Sequence, residues 1–196
     1  MTFGHMEGVR PGQTNEEESH ELLDQFVAAG GNFIDTADVY QYGLSEKIIG
    51  TWLAKQSADM RKKLIIATKV CAMMDRSDAN ALGLSRHHIM ESIQGSLSRL
   101  QTSYIDIYQT HCWDAGTPIE ETLHALNDLV RCCKVHYVGV SNVCGWQLQK
   151  IIDTNRRFNY PDILTLQVSC ISYVCVLFCL VFLSGCSGVV TTHCTQ

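Results

Sequence analysis

The sequence predicts an α/β fold, an incomplete TIM-type (β/α)₈ barrel, and three observations support this prediction. Between Thr14 and Tyr160, amphipathic helical patterns alternate with short apolar runs, as in successive parallel βαβ units. Polar residues stand at the carboxyl end of each apolar run, and in a barrel those ends meet on one face. The Gly-x-Gly-x-x-Gly fingerprint of a doubly wound dinucleotide-binding sheet is absent. The chain has 196 residues, whereas a complete barrel typically needs about 250.

Helix starts and apolar stripes predict five helices. Thr14 and Glu17 form a capping box for the first helix, and Gly30 ends it. Ser45 is expected to open the second helix and Ser85 to cap the third. The fourth helix is expected to start with Thr117 as the N-cap, Pro118 at N1 and Glu120 as the capping-box partner of Thr117. The fifth helix lies around residues 146–152.

Five apolar runs between these helices predict strands. They are rich in β-branched and aromatic residues and are four or five residues long. The runs are Asn32–Asp35, Leu64–Thr68, Ile105–Tyr108, His136–Val140 and Ile163–Leu166.

Each run closes on a polar residue, and this regularity predicts where the chemistry lies. The residues at or just past the strand ends are Asp35, Lys69, His111, Ser141 with Asn142, and Gln167. One polar strand end would mean little, but five in succession are hard to explain by core packing. We therefore expect a polar pocket on the carboxyl-end face of the barrel.

Composition narrows the class of protein and its compartment. The net charge is −5 and the fifteen basic residues form no long run, so a nucleic-acid-binding surface is not expected. The first residues contain no basic-then-apolar leader, which favours a reducing, cytoplasmic location. The ten cysteines lack zinc-site spacing, so neither a metal site nor a disulfide framework is expected. We interpret them as small buried hydrophobic residues.

Several separate motifs, in order, resemble one enzyme family. Residues 30–40 read Gly-Gly-Asn-Phe-Ile-Asp-Thr-Ala-Asp-Val-Tyr, with Ser45-Glu46 and Gly50 following. Ala-Thr-Lys-Val at 67–70, Tyr-Gln-Thr-His at 108–111 and Gly-Val-Ser-Asn at 139–142 come next. Together they resemble the aldo-keto reductases, over roughly residues 1–167. The resemblance is to the branch that includes bacterial aldo-keto reductases and potassium-channel β-subunits.

This resemblance implies NADPH-dependent reduction of aldehydes and ketones to alcohols by a tetrad of Asp35, Tyr40, Lys69 and His111. Tyr40 would protonate the developing alkoxide, and the Lys69 ammonium, held by Asp35, would lower the pKa of Tyr40. His111 would orient the carbonyl and donate to its oxygen. The resemblance further implies that Asp35, Ser141, Asn142 and Gln167 contact the cofactor. Of these, Ser141, Asn142 and Gln167 would hold the nicotinamide carboxamide.

The resemblance covers about strands 2 to 6 of the family barrel and stops near Gln167. We therefore divide the chain into a partial barrel at 1–167 and an apolar, cysteine-rich tail at 168–196, which resembles no aldo-keto reductase segment. Three hypotheses fit the tail: a membrane anchor through residues 171–190, a segment folded onto the exposed sheet edge, or a substituted terminus that packs poorly.

Two other functional interpretations stay open beside the enzyme. The chain could be a non-catalytic interaction or regulatory protein, resembling a channel β-subunit or attached to a membrane. It could also be a non-functional variant product, because the family's phosphate-gripping region after strands seven and eight is unmatched. The sequence indicates neither a particular carbonyl substrate nor an oligomeric state.

Overall fold

A computed structural model describes residues 3–4, 14–169 and 189–193, giving only the backbone for 169 and 189–193. The helices are α1 Glu16–Ala28, α2 Leu44–Leu53, α3 Ala58–Lys63, α4 Arg86–Leu100, α5 Ile119–Arg131 and α6 Gly145–Phe158. The strands are β1 Phe33–Asp35, β2 Ile65–Val70, β3 Ile105–Thr110, β4 Val135–Ser141, β5 Ile163–Ser169 and β6 Val189–His193.

The strands form one parallel sheet in the order β1-β2-β3-β4-β5-β6. Within the described residues, a parallel sheet in sequential order, with helical crossovers from β1 to β5, is the arrangement of an incomplete (β/α)₈ barrel. The predicted fold class and the five predicted strands are therefore confirmed.

The register of the sheet places four residues from neighbouring strands in one row. Lys69 of β2 pairs with Gln109 of β3, Gln109 with Gly139 of β4, and Gly139 with Thr165 of β5. Side chains alternate between the two faces of a strand, so neighbouring residues such as Val70 belong to the apolar core on the other face. That core joins strand and helix residues, among them Ile66, Tyr108, Ile93 and Leu126.

Helix α1 begins one residue later than the sequence predicted. Asn15, rather than Thr14, is the N-cap: its side chain accepts from the Glu18 backbone N–H, and the Glu18 side chain accepts from the Asn15 N–H. Thr14 is held in a short β-bridge to Phe3, and its carbonyl accepts from Gly4. The extended bridge thus moves the capping box by one position.

Two other predicted helix starts also differ in the structure. Ser45 does not cap α2; it is buried, and its hydroxyl lies 2.9 Å from that of Thr36, while Gly43 in a left-handed conformation (φ 88°) precedes the helix. The N-cap of α5 is Pro118, not Thr117, because the Thr117 hydroxyl donates to Asp114 Oδ2 at 2.7 Å. The Ser85 cap of α4 is confirmed.

Two elements were not predicted from the sequence. Helix α3 is a six-residue helix capped by Ser57. Strand β6 lies within the tail and pairs with β5, from Thr165 opposite Val189 to Ser169 opposite His193. Residues 171–188 of the postulated membrane segment lie outside the described residues. Within the described ranges, no helix is long and apolar enough to cross a membrane.

Candidate active site

The site centres on a buried ion pair between two neighbouring strands. Asp35 ends β1 and Lys69 lies in β2, and Lys69 Nζ donates to Asp35 Oδ2 at 2.6 Å and to the Thr36 carbonyl at 2.7 Å. The Lys69 side chain is 1% exposed. Burial lowers the pKa of Lys69, and the Asp35 carboxylate opposes that shift.

Tyr40 and His111 complete a compact group around Lys69. Lys69 Nζ lies 5.2 Å from the centroid of the Tyr40 ring. The rings of Tyr40 and His111 meet edge to face, with 5.6 Å between their centroids. Four residues that are separated by up to 76 positions in the sequence therefore surround one small volume.

Two glutamine side chains complete the environment of Asp35. Gln109 Nε2 donates to Asp35 Oδ1 at 3.2 Å, and Gln167 Nε2 donates to Asp35 Oδ2 at 3.2 Å. Thr165 Oγ1 donates in turn to Gln109 Oε1 at 3.3 Å. Gln109 and Thr165 were not among the predicted site residues. The alternation of side chains along a strand could have identified Gln109, because it lies two residues before His111 and so faces the same side of the sheet.

The ends of β4 and β5 bring the remaining predicted residues together. Ser141 pairs with Gln167 across the sheet, and the Asn142 N–H donates to the Gln167 carbonyl at 2.9 Å. Asn142 has a left-handed backbone (φ 52°), and its Nδ2 donates to the His111 carbonyl at 2.9 Å. Among the described residues, Gln167 Oε1 and His111 Nδ1 are buried without a hydrogen-bond partner.

The protonation states differ in one respect from the sequence prediction. Burial raises the pKa of Tyr40 to about 12, and the Asp35 and Asp38 carboxylates add to the rise. The pKa of Tyr40 is therefore not lowered as expected, because burial and the two carboxylates dominate, and Lys69 Nζ bonds Asp35 and the Thr36 carbonyl. Burial, assisted by the Lys69 charge, lowers the pKa of His111 to about 4. At neutral pH the site thus holds a protonated phenol and a neutral imidazole.

Comparison with known proteins identifies the family. The model of the aldo/keto reductase family matches residues 1–173. The chain belongs to the aldo/keto reductase family, a family of oxidoreductases.

Individual relatives agree with this assignment. Norsolorinic acid reductase B of Aspergillus parasiticus is 41% identical over 76% of this chain and 40% of its own length. The NADP(+) aryl-alcohol dehydrogenase of Phanerodontia chrysosporium is 40% identical over 71% of this chain and 38% of its own. An uncharacterized oxidoreductase of Bacillus subtilis is 40% identical over 70% and 44%. The chain spans about two fifths of the length of these relatives.

Proposed function

We propose that this chain reduces aldehydes or ketones to alcohols with NADPH as the hydride donor. The observation that carries the proposal is the convergence of Tyr40, His111 and the Asp35–Lys69 pair at the strand ends. In a barrel enzyme these ends host the chemistry. The relatives' names, which include a reductase and an NADP(+) dehydrogenase, support this class of reaction and cofactor.

Each side chain has a distinct role in this proposal. Tyr40, protonated at neutral pH, donates its phenolic proton to the carbonyl oxygen as that oxygen gains negative charge. His111, neutral at neutral pH, donates a hydrogen bond from its protonated ring nitrogen to the same oxygen. Lys69 stabilises the phenolate that Tyr40 leaves behind, and Asp35 holds Lys69 in place.

The cofactor's nicotinamide end fits residues at the ends of β4 and β5. A carboxamide carries both a donor and an acceptor, and the unpartnered Gln167 Oε1 offers an acceptor for its N–H. Ser141, Asn142 and Gln167 would hold the carboxamide, and Asp35 would border the ring. When bound, NADPH supplies the hydride that reduces the carbonyl carbon.

Turnover with a reactive aromatic aldehyde tests the proposal. Purified chain, NADPH and a nitrobenzaldehyde should give enzyme-dependent loss of NADPH absorbance. Tyr40→Phe should slow this loss by at least about a hundredfold, the contribution typical of a general acid. Tyr42→Phe is the matched control, because Tyr42 is two residues away and 52% exposed. Equal rates for Tyr40→Phe and the unmodified chain would refute the assigned mechanism.

Cofactor titration separates the enzyme from the interaction protein. Micromolar NADPH binding would support the reductase, and no binding at millimolar concentration would contradict it. The second candidate function is a non-catalytic interaction protein, and it is favoured by the fact that the chain covers only about two fifths of the relatives' length. A cytoplasmic location, the division of the chain at residue 167 and a carbonyl compound as the small-molecule partner stay predictions.

A further inference from the structure

Two cysteine thiols meet at the rim of the proposed site. Cys71 directly follows β2 and Cys112 lies two residues after β3, and their Sγ atoms are 3.1 Å apart. Both thiols are free; Cys71 is buried and Cys112 is exposed. This corrects the expectation that the cysteines are buried hydrophobic residues, because Cys112, Cys132, Cys133 and Cys144 are all exposed.

The backbone around the pair favours cross-linking. Val70 and Thr110 are register partners, and the His111 N–H donates to the Val70 carbonyl at 2.8 Å, so the two strand ends are joined next to the thiols. A disulfide has an S–S bond of about 2.05 Å, so the two sulfur atoms must approach by only about 1 Å. Rotation of the exposed Cys112 side chain can supply much of this movement.

We propose that Cys71 and Cys112 form an oxidisable dithiol, a modification site that hydroperoxides convert into an intrachain disulfide. The Cys112 thiolate attacks one peroxide oxygen, the O–O bond breaks, and the protonated leaving oxygen departs as water or an alcohol. The Cys71 sulfur then attacks Cys112 Sγ, the S–O bond breaks, and the hydroxyl departs as water with the Cys71 proton. Two thiols are oxidised by two electrons while one peroxide is reduced.

The order of the two steps follows from the different surroundings of the sulfurs. Cys112 is exposed and can meet a peroxide, whereas Cys71 is buried. Burial raises the pKa of the Cys71 thiol well above its ordinary value, so its thiolate is scarce at neutral pH. We therefore expect the second step to be the slower one and to accelerate as the pH rises.

The disulfide would fix the part of the rim that carries the proposed chemistry. Cys112 is the neighbour of His111, and Cys71 lies two residues after Lys69. The Cys71 carbonyl accepts from Gly83 at 2.8 Å, so the loop after β2 is anchored at the same point. The inference goes beyond the proposed reductase and does not depend on turnover, because its product is a covalent bond.

Peptide mapping of the full chain tests the inference. Reduced protein is treated with hydrogen peroxide, the remaining thiols are alkylated, and the chain is digested with trypsin without reductant. Cys71 and Cys112 are the only cysteines of the expected peptides 70–76 and 100–131. We expect these peptides joined, with a mass lower than their sum by two hydrogen atoms. Recovery of both peptides separately alkylated would overturn the inference, and so would Cys112 bonded to another cysteine.

Variants separate this pair from general thiol oxidation. Cys112→Ser, at an exposed position, should abolish the cross-linked peptide and leave Cys71 as a free thiol. Cys71→Ser should leave Cys112 as a sulfenic acid that dimedone traps. Cys144→Ser is the control and should retain the cross-link, because Cys144 lies at the start of α6. Cross-linking that persists to the same extent in urea-unfolded chain would show that the folded geometry does not direct it.

Discussion

At the scale of single residues, the Asp35 carboxylate connects three strands of the site. Its carboxylate accepts hydrogen bonds from Lys69, Gln109 and Gln167, three side chains from three different strands. The resemblance of the motifs to those of aldo-keto reductases was enough to predict that Asp35 and Lys69 lie together near Tyr40 and His111. The same resemblance did not identify Gln109 as a hydrogen-bond donor to Asp35, because that contact depends on the register of β3 against β2.

Protonation states were the least predictable property, because they depend on burial rather than on residue type. Asp38 is 0% exposed; Oδ1 accepts from the Val39 N–H at 2.6 Å, and Oδ2 has no partner among the described residues. Burial, with the nearby Glu46 carboxylate, raises the pKa of Asp38 from 3.8 to about 7. Asp38 stands in the motif at residues 30–40, but nothing in that motif predicted its raised pKa.

The opposite pKa shifts of Asp38 and His111 predict a specific pH dependence of stability. Between about pH 4 and 7, native Asp38 binds more protons than the unfolded group, so its contribution to stability falls as pH rises. The pKa of His111 is lowered from 6.5 to about 4, so its contribution rises with pH over nearly the same range. The two contributions oppose each other in the unmodified chain.

Asp38→Asn should remove the opposing Asp38 contribution and leave that of His111 to the pH dependence of the unfolding free energy. We expect its unfolding free energy to rise between pH 4.5 and 6.5 more steeply than that of the unmodified chain. At pH 8 it should exceed the unmodified chain by at least about 1 kcal/mol, since one pKa unit corresponds to about 1.4 kcal/mol. Urea unfolding at several pH values measures this. Asp59→Asn, at an exposed helix position, is the control, and an identical profile for Asp38→Asn would contradict the assignment.

At the scale of elements, five of the helices and five of the strands were predictable, whereas the starts of α1, α2 and α5 were not. The segment 14–18 contains two overlapping cap signals, Thr14 with Glu17 and Asn15 with Glu18. Local sequence cannot choose between them; the bridge between Phe3 and Thr14 does. Ser45 also differs from the prediction, because it is the second residue of α2, its hydroxyl contacts Thr36, and Gly43 is the N-cap.

Strand β4 carries a glycine where its neighbours need space. Gly139 lies between Gln109 and Thr165 in the register, at an irregularity in the β4–β5 pairing. A Cβ atom there would collide with Thr165 Oγ1 and would lie 2.9 Å from Gln109 Cγ. The missing side chain is what lets Thr165 reach Gln109 across the intervening strand.

Gly139→Ala should consequently destabilise the chain by about 1–3 kcal/mol, as overpacking of a close-packed interior does. Gly145→Ala provides the matched control, because a Cβ at Gly145 meets nothing within 4 Å. That control should stay within about 1 kcal/mol of the unmodified chain. Chemical denaturation of the three proteins measures the difference. Equal stability of the two variants would show that Thr165 and Gln109 can move apart at little cost.

At the scale of the whole molecule, the parallel sequential sheet followed from alternation and from the polar strand ends. Strand β6 did not, although residues 189–193 read Val-Val-Thr-Thr-His and are rich in β-branched types. Such a short run favours a strand, but its partner is decided by which sheet edge is available. Pairing with β5 agrees with the hypothesis that the tail folds onto the sheet edge.

Amide hydrogen exchange should rank the strands by their place in the sheet. All six residues of β3 are buried and both its edges are paired, whereas β1 has three residues and pairs only with β2 among the described strands. We expect β3 amides to exchange at least about tenfold more slowly than those of β1, because opening β3 disrupts the central core. Equal protection would indicate that the sheet opens only as one cooperative unit.

The sequential strand order also has a consequence for how the chain is made. Each described strand after the first is hydrogen-bonded to the described strand before it, so a ribosome delivers each of these strands after its partner. The sheet can grow by one strand–helix unit at a time during synthesis, and none of these strands must be inserted between two that are already joined. Nascent chains of increasing length should therefore acquire protease resistance in steps, beginning from the amino-terminal side.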